Sequence, residues 1–173
     1  MDIGCGKGED MMKFYYVMCS FYVGIDKDAD SLLSAANGAV SRYNQLRKTH
    51  PNFPKYTFVT ADASVPLDKE SQEKALSSMS FDNKKLMDRF FSKDPKKRVL
   101  FDRINCQDTI QFLLKDKMTW EGFTDNINNY LKEGGYRNPG GLDQIHSERE
   151  SRASLGLRQQ RLCQGYRQAS VDG

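Results

Sequence analysis

Apolar and polar positions follow two alternating rhythms from residue 1 to 136. Short runs rich in β-branched and aromatic residues span Phe21 to Asp26, Tyr56 to Asp62 and Val99 to Cys106, and these predict strands. Met1-Asp2-Ile3 reads as the last residues of an earlier strand, ending in a turn marked by Gly4, Gly6 and Gly8. Between the strands the apolar spacing becomes helical. Glu9 and Asp10 open one helix, their charges favourable at its positive end, with Met12, Phe14, Tyr15 and Met18 available to face a sheet. Asp28 or Asp30 caps a second, in which Leu32, Leu33, Ala36, Val40, Tyr43 and Leu46 recur until the loop at residues 50–54 ends it. A third helix runs from Thr119 to Lys132 with Trp120, Phe123, Ile127, Tyr130 and Leu131 on its apolar side, and Glu133-Gly134-Gly135 stops it. This alternation predicts an α/β layer architecture with parallel strands.

Two stretches depart from the rhythm. Residues 64–98 are polar and lysine-rich, with weak helical patterning around Ala75-Leu76 and Leu86-Met87-Phe90-Phe91, and read as an elaborated surface connection. After Tyr136, where the next apolar strand is due, the chain continues Arg137-Asn138-Pro139-Gly140-Gly141. All fifteen lysines lie at or before Lys132, whereas residues 137–173 hold six arginines, no lysine and five glutamines. The expectation is a partial domain over 1–136 and an atypical polar tail over 137–173. That tail supplies +2 of the formal charge of +3, so the charge does not argue for nucleic-acid binding.

Composition otherwise narrows the class. With 173 residues, 38% hydrophobic and 28% charged, the chain fits one globular domain. No apolar run approaches the roughly 18 residues of a membrane span, and the first residues carry no secretory pattern, so an intracellular location is expected. Cys5, Cys19, Cys106 and Cys163 form no CxxC pair, which fits a reducing compartment and disfavours a zinc site. The two histidines, His50 and His146, lie in a proline-flanked loop and in the tail, and neither is placed as a base.

Three constellations can carry chemistry. The first is Asp2-Ile3-Gly4-Cys5-Gly6-Lys7-Gly8-Glu9-Asp10, a glycine turn between strand and helix, where open α/β sheets bind ligands. It is neither a phosphate loop, because Lys7 is followed by Gly8, nor the GxGxxG dinucleotide fingerprint, because its third glycine comes one residue early. The second is Asp26, at a strand end, able to accept from both hydroxyls of a ribose. The third is Asp62 with Ala63: the carboxylate can accept from an exocyclic adenine amine while the Ala63 N–H donates to a ring nitrogen. Asp2, Asp26 and Asp62 at successive strand ends converge on one sheet edge and point to an adenosine-containing ligand. Taken singly, the glycine turn also reads as a tight turn with no ligand, and Asp26 as a solvated strand-end aspartate.

These residues, followed by Phe101-Asp102-Arg103-Ile104-Asn105-Cys106-Gln107, resemble the ordered motifs of S-adenosylmethionine-dependent methyltransferases, and within them the mRNA cap guanine-N7 methyltransferases of eukaryotes and large DNA viruses. The lysine-rich insertion is similar to giant-virus versions. The resemblance covers residues 2 to about 136 and implies a Rossmann-like methyltransferase fold truncated at both ends, its central strand almost wholly missing and its fifth strand absent. It implies S-adenosylmethionine as cofactor, with Asp2, Gly4, Cys5 and Gly6 around the methionine moiety, Asp26 on the ribose, Asp62 and Ala63 on the adenine and Gln107 beside it through its main chain. It implies capped RNA as substrate, met by Lys7, Gln111 and Phe112, with capping-enzyme subunits as partners, and a nuclear location in a cell or a cytoplasmic or virion location for a virus. No catalytic side chain is implied, because guanine N7 already presents a lone pair.

One motif departs from the family. After the Cys-Gln pair these enzymes carry His-Tyr, whereas here Asp108-Thr109-Ile110-Gln111-Phe112 follows. Gln111 can still hydrogen-bond and the Phe112 ring can stack, although a buried core position is the more ordinary fate of such a phenylalanine. A methyltransferase of another substrate and a non-catalytic binding module stand as the alternatives.

Overall fold

The computed structural model describes residues 1–138, in which five strands form one parallel sheet in the order β3-β2-β1-β4-β5. The strands are β1 (Asp2–Ile3), β2 (Phe21–Asp26), β3 (Lys55–Thr60), β4 (Phe101–Asn105) and β5 (Leu131–Asn138). The helices are α1 (Met11–Tyr16), α2 (Ala29–Leu33), α3 (Ala39–Thr49), α4 (Lys69–Ala75), α5 (Phe81–Phe90), α6 (Ile110–Leu113) and α7 (Lys117–Tyr130). A parallel sheet needs both faces covered. Because successive strand residues point to opposite faces, β2 and β3 each feed both cores. Tyr22, Tyr56 and Phe58 pack with Met11, Leu32, Ala39 and Phe53 on one face. Val23, Ile25 and Val59 join Ile3, Ile104, Phe90, Phe91, Phe123 and Ile127 on the other. The described chain is thus a three-layer α/β fold, as expected from the alternation.

Several local expectations are corrected. The second helix is two helices, α2 and α3, because the chain turns at residues 34–38 and the Gly38 N–H donates to the Ser34 carbonyl at 2.8 Å; Asp28 caps α2, accepting from the Asp30 N–H. Met18 does not face the sheet: it is 89% exposed, past the end of α1, with φ +52°. Residues 64–98 are not confined to the surface: Leu67, Gln72, Asn83, Met87, Phe90 and Phe91 are all buried. The fifth strand is present. Helix α7 ends at Tyr130, not at the glycines, and β5 runs beside β4 with a register shift, an advance of five residues on β5 (from Leu131 to Tyr136) against two on β4 (from Phe101 to Arg103). Gly134, at φ +74°, lies in that irregularity. The short β1 sits in the centre of the sheet, paired with β2 and β4. Residues 139–173, with His146 and Cys163, lie outside the described residues.

Candidate functional site

The carboxyl ends of β1, β2 and β3 line up, with Ile3 opposite Ile25 and Asp26 opposite Thr60. The glycine turn folds back over this edge. Gly4 and Cys5 both donate to the Ile25 carbonyl, at 2.8 and 3.1 Å, and the Gly8 N–H donates to the Cys5 carbonyl at 2.8 Å. Gly4, Gly6 and Gly8 all lie at positive φ, which favours glycine at each. They differ in what a side chain would meet. A Cβ on Gly4 would lie 2.0 Å from Thr109 Oγ1, and one on Gly8 2.1 Å from Met11 Cε, whereas at Gly6 it meets nothing within 4 Å. Two of the glycines therefore admit the protein's own packing, and the open one is Gly6.

The acidic residues are tied into the edge by hydrogen bonds. Asp2 is 4% exposed, and its two oxygens accept from the Tyr22 hydroxyl at 2.6 Å and the Asn105 amide at 2.7 Å. Burial raises its carboxyl above the ordinary range, against the lowering effect of those two donors. Asp26 accepts from the Gly6 N–H at 2.8 Å and the Asp28 N–H at 2.9 Å, one on each oxygen, which leaves each a further lone pair. The Ala61 N–H donates to the Asp26 carbonyl at 2.9 Å, linking β2 to the next loop. There one Asp62 oxygen accepts from the Ser64 N–H and hydroxyl, and the other has no partner among the described residues. Ala63 is 7% exposed, and its N–H has no partner among the described residues either.

Between the glycine turn and residues 107–109 lies a cleft of about 180 Å³, lined by Asp2, Gly4, Cys5, Gly6, Lys7 and Gln107 of the predicted set. Glu9, Asp10 and Asp108 add acidic groups, so Lys7 is the one cation among its lining residues. This balance favours a ligand bearing positive charge. Asp108, which lines the cleft, stands at φ +57°, a left-handed conformation for a residue with a side chain. Lys7 is exposed and forms no ion pair within 4 Å among the described residues. Phe112 is 65% exposed on α6 and not in the core, which corrects the expectation for this ring. Gln111 is exposed as well, its amide donating to the Asp108 carbonyl at 3.4 Å. Burial pushes the Cys5 thiol up, and that of Cys106 to about 12, so neither supplies a thiolate nucleophile at neutral pH.

A larger cleft of about 530 Å³, lined by Tyr15, Tyr16, Met18, Cys19 and others, lies at the opposite, amino ends of β2 and β3. Open parallel sheets bind at the carboxyl ends, so the smaller cleft is the candidate. No group of three or more His, Cys, Asp or Glu residues that could hold a metal occurs among the described residues. No helix among them is long and apolar enough to cross a membrane. His50 Nδ1 lies 3.2 Å from the Leu46 carbonyl and its ring packs beside Tyr15, away from this edge.

A five-stranded parallel sheet covered by helices on both faces, with a glycine turn and successive carboxylates at its carboxyl edge, is an open α/β fold with its candidate site where that class places ligands. Within that class, the chain belongs to the mRNA (guanine-N(7))-methyltransferase domain family, which matches residues 1–138. Over 136 residues it is 42% identical to a probable mRNA-capping enzyme of Acanthamoeba polyphaga mimivirus, covering 79% of this chain and 11% of the viral protein. Over 135 residues it is 24% identical to an mRNA cap guanine-N(7) methyltransferase of Cryptococcus neoformans var. neoformans serotype D, covering 78% of this chain and 18% of the fungal protein. The chain thus spans less than a fifth of the length of either relative. Methyltransferases of this kind use S-adenosylmethionine as a class.

Proposed function

We propose that this chain carries the S-adenosylmethionine site of an mRNA cap guanine-N7 methyltransferase. The observation that carries the reading is the unpartnered Ala63 N–H in a buried residue, beside an Asp62 oxygen that is also without a partner. One donor and one acceptor side by side match the ring nitrogen and exocyclic amine of adenine. The acidic cleft supports the same ligand, which bears a sulfonium and an ammonium group. Asp26 offers a lone pair on each oxygen to the ribose hydroxyls; Asp2, Gly4, Cys5 and Gly6 enclose the methionine end, and the Gln107 main chain borders it.

Bound S-adenosylmethionine supplies an activated methyl group. The protein's part is orientation. Guanine N7 needs no base to expose its lone pair, so rate comes from holding the acceptor in line and excluding water. Lys7, a flexible cation at the rim, meets the cap phosphates, and Phe112 offers an exposed ring for guanine with Gln111 at its edge. Capped RNA is the proposed substrate, and other subunits or domains of a capping enzyme the proposed partners.

Isothermal titration of the 173-residue chain with S-adenosylmethionine tests the cofactor half. Saturable 1:1 binding is expected, and its absence overturns the reading. Transfer of labelled methyl to RNA ending in GpppN, and not to uncapped RNA of the same sequence, tests the substrate half.

A further inference from the structure

The adenine-facing groups lie on a loop, and the loop is held by buried amides from two different helices. Gln72, on α4 and fully buried, accepts from the Asp62 N–H at 2.7 Å and donates to the Asp62 and Pro66 carbonyls at 2.8 and 3.0 Å. Asn126, on α7 and 1% exposed, accepts from the Leu67 N–H at 2.9 Å and donates to the Ala63 and Val65 carbonyls at 3.0 and 2.8 Å. The same stripe of α7 adds the Tyr130 hydroxyl, which donates to the Leu67 carbonyl at 2.8 Å. One turn before Asn126 is Gly122, where a Cβ would lie 2.0 Å from the Ser64 carbonyl oxygen. Residues 122, 126 and 130 fall on one helix face, so a single rigid edge grips the loop.

The result is a nearly complete set of N–H bonds with one gap. From residue 61 to 67, every N–H has a partner except that of Ala63. Ala61, Ala63 and Leu67 anchor the loop in the core, and the buried amides satisfy its backbone from both sides while leaving the adenine-facing donor open. We infer that Gln72 and Asn126 are positioning residues for adenine recognition, acting through the loop without touching the ligand. The inference rests on the proposed cofactor site and adds the source of its base specificity.

The test compares two probes, S-adenosylhomocysteine and S-inosylhomocysteine, in which the exocyclic amine becomes a carbonyl and the ring nitrogen a donor. The wild-type chain is expected to prefer the adenosyl ligand strongly; no binding of either ligand overturns the cofactor site itself, and the inference with it. Gln72→Met, which keeps the volume without the amide, is expected to weaken adenosyl binding tenfold or more while inosyl binding changes less than threefold. An equal loss for both ligands overturns the positioning role while leaving the cofactor site standing. Should Gln72→Met not fold, amide hydrogen exchange on the wild-type chain decides. Asp62 and Leu67 N–H are expected to exchange slowly without ligand, and Ala63 N–H to become protected only with S-adenosylhomocysteine. Rapid exchange at Asp62 and Leu67 in the free protein overturns the inference.

Discussion

Asp26 and Lys7 flank Gly6 but belong to different halves of the proposed reaction. Asp26 fixes the Gly6 N–H and presents its remaining lone pairs at the strand end, so Asp26→Ala removes both a structural and a ligand-facing acceptor. Hydrogen bonds to a charged group are worth about 1.5–3 kcal/mol each, and S-adenosylmethionine affinity should fall roughly 10- to 100-fold. Lys7 is exposed, so Lys7→Ala should leave that affinity within about twofold while weakening capped-RNA binding, increasingly so at low salt. Titration of each variant with cofactor and with capped RNA checks the split. An equal loss of cofactor affinity in both would mean that the roles are not divided. At this scale the sequence shows which residues are chemically able, because glycine spacing and strand-end carboxylates are local signals. It does not show Tyr22 and Asn105 as the partners of Asp2, which stand 20 and 103 positions away and meet it only through the register of β1 with β2 and β4.

Among the elements, the turn between β1 and α1 separates conformational need from spatial need. Gly6→Ala puts a side chain in open space at φ +50°, and left-handed backbone costs a residue with Cβ about 1–2 kcal/mol. Gly4→Ala carries the same backbone penalty and drives its Cβ into Thr109, adding about 1–3 kcal/mol of overpacking. Gly4→Ala should therefore destabilise more, and adding Thr109→Gly should recover part of the difference. Urea unfolding of the four chains measures this as a double-mutant cycle. Elements with strong periodicity were legible. Those missed had a different cause. Strand β5 reads Leu-Lys-Glu-Gly-Gly-Tyr-Arg-Asn, without the apolar alternation of a buried strand, and exists by pairing along the β4 edge. Helices α4 and α5 look polar because their buried positions include Gln72 and Asn83, amides that bond the backbone of the loop after β3 and of Thr60 at its end, so the apolar pattern of α5 is reduced to Met87 and Phe90. Phe112 departs from the usual expectation in the other direction, as an aromatic residue left exposed.

For the molecule as a whole, Asp2 is the point where three strands meet. It stands on the central strand, takes the Tyr22 hydroxyl from β2 and the Asn105 amide from β4, and is buried. Burial raises its folded-state pKa above the unfolded value of about 4. Between those two values the folded chain holds a proton that the unfolded chain has released. Stability from Asp2 is then fully present below pH ~4 and is lost as pH rises through the folded value, at up to about 1.4 kcal/mol per pH unit. Asp28, Asp68 and Asp116 act with the opposite sign. For Asp28 the Ser31 hydroxyl, and for Asp116 the Thr119 N–H, is the main cause of lowering; for Asp68 burial works against lowering, but Ser71 and Lys93 outweigh it. Their contribution is present above pH ~4 and is lost as pH falls through their lower folded values. The two sets separate on either side of that value. Urea unfolding of the wild-type chain should show stability falling as pH rises above about 4 on account of Asp2. In Asp2→Asn, which cannot ionise, that decline should disappear while the loss below pH 4 remains. An unchanged slope above pH 4 in Asp2→Asn would show that the carboxylate joining the three strands is ionised in the folded protein despite its burial.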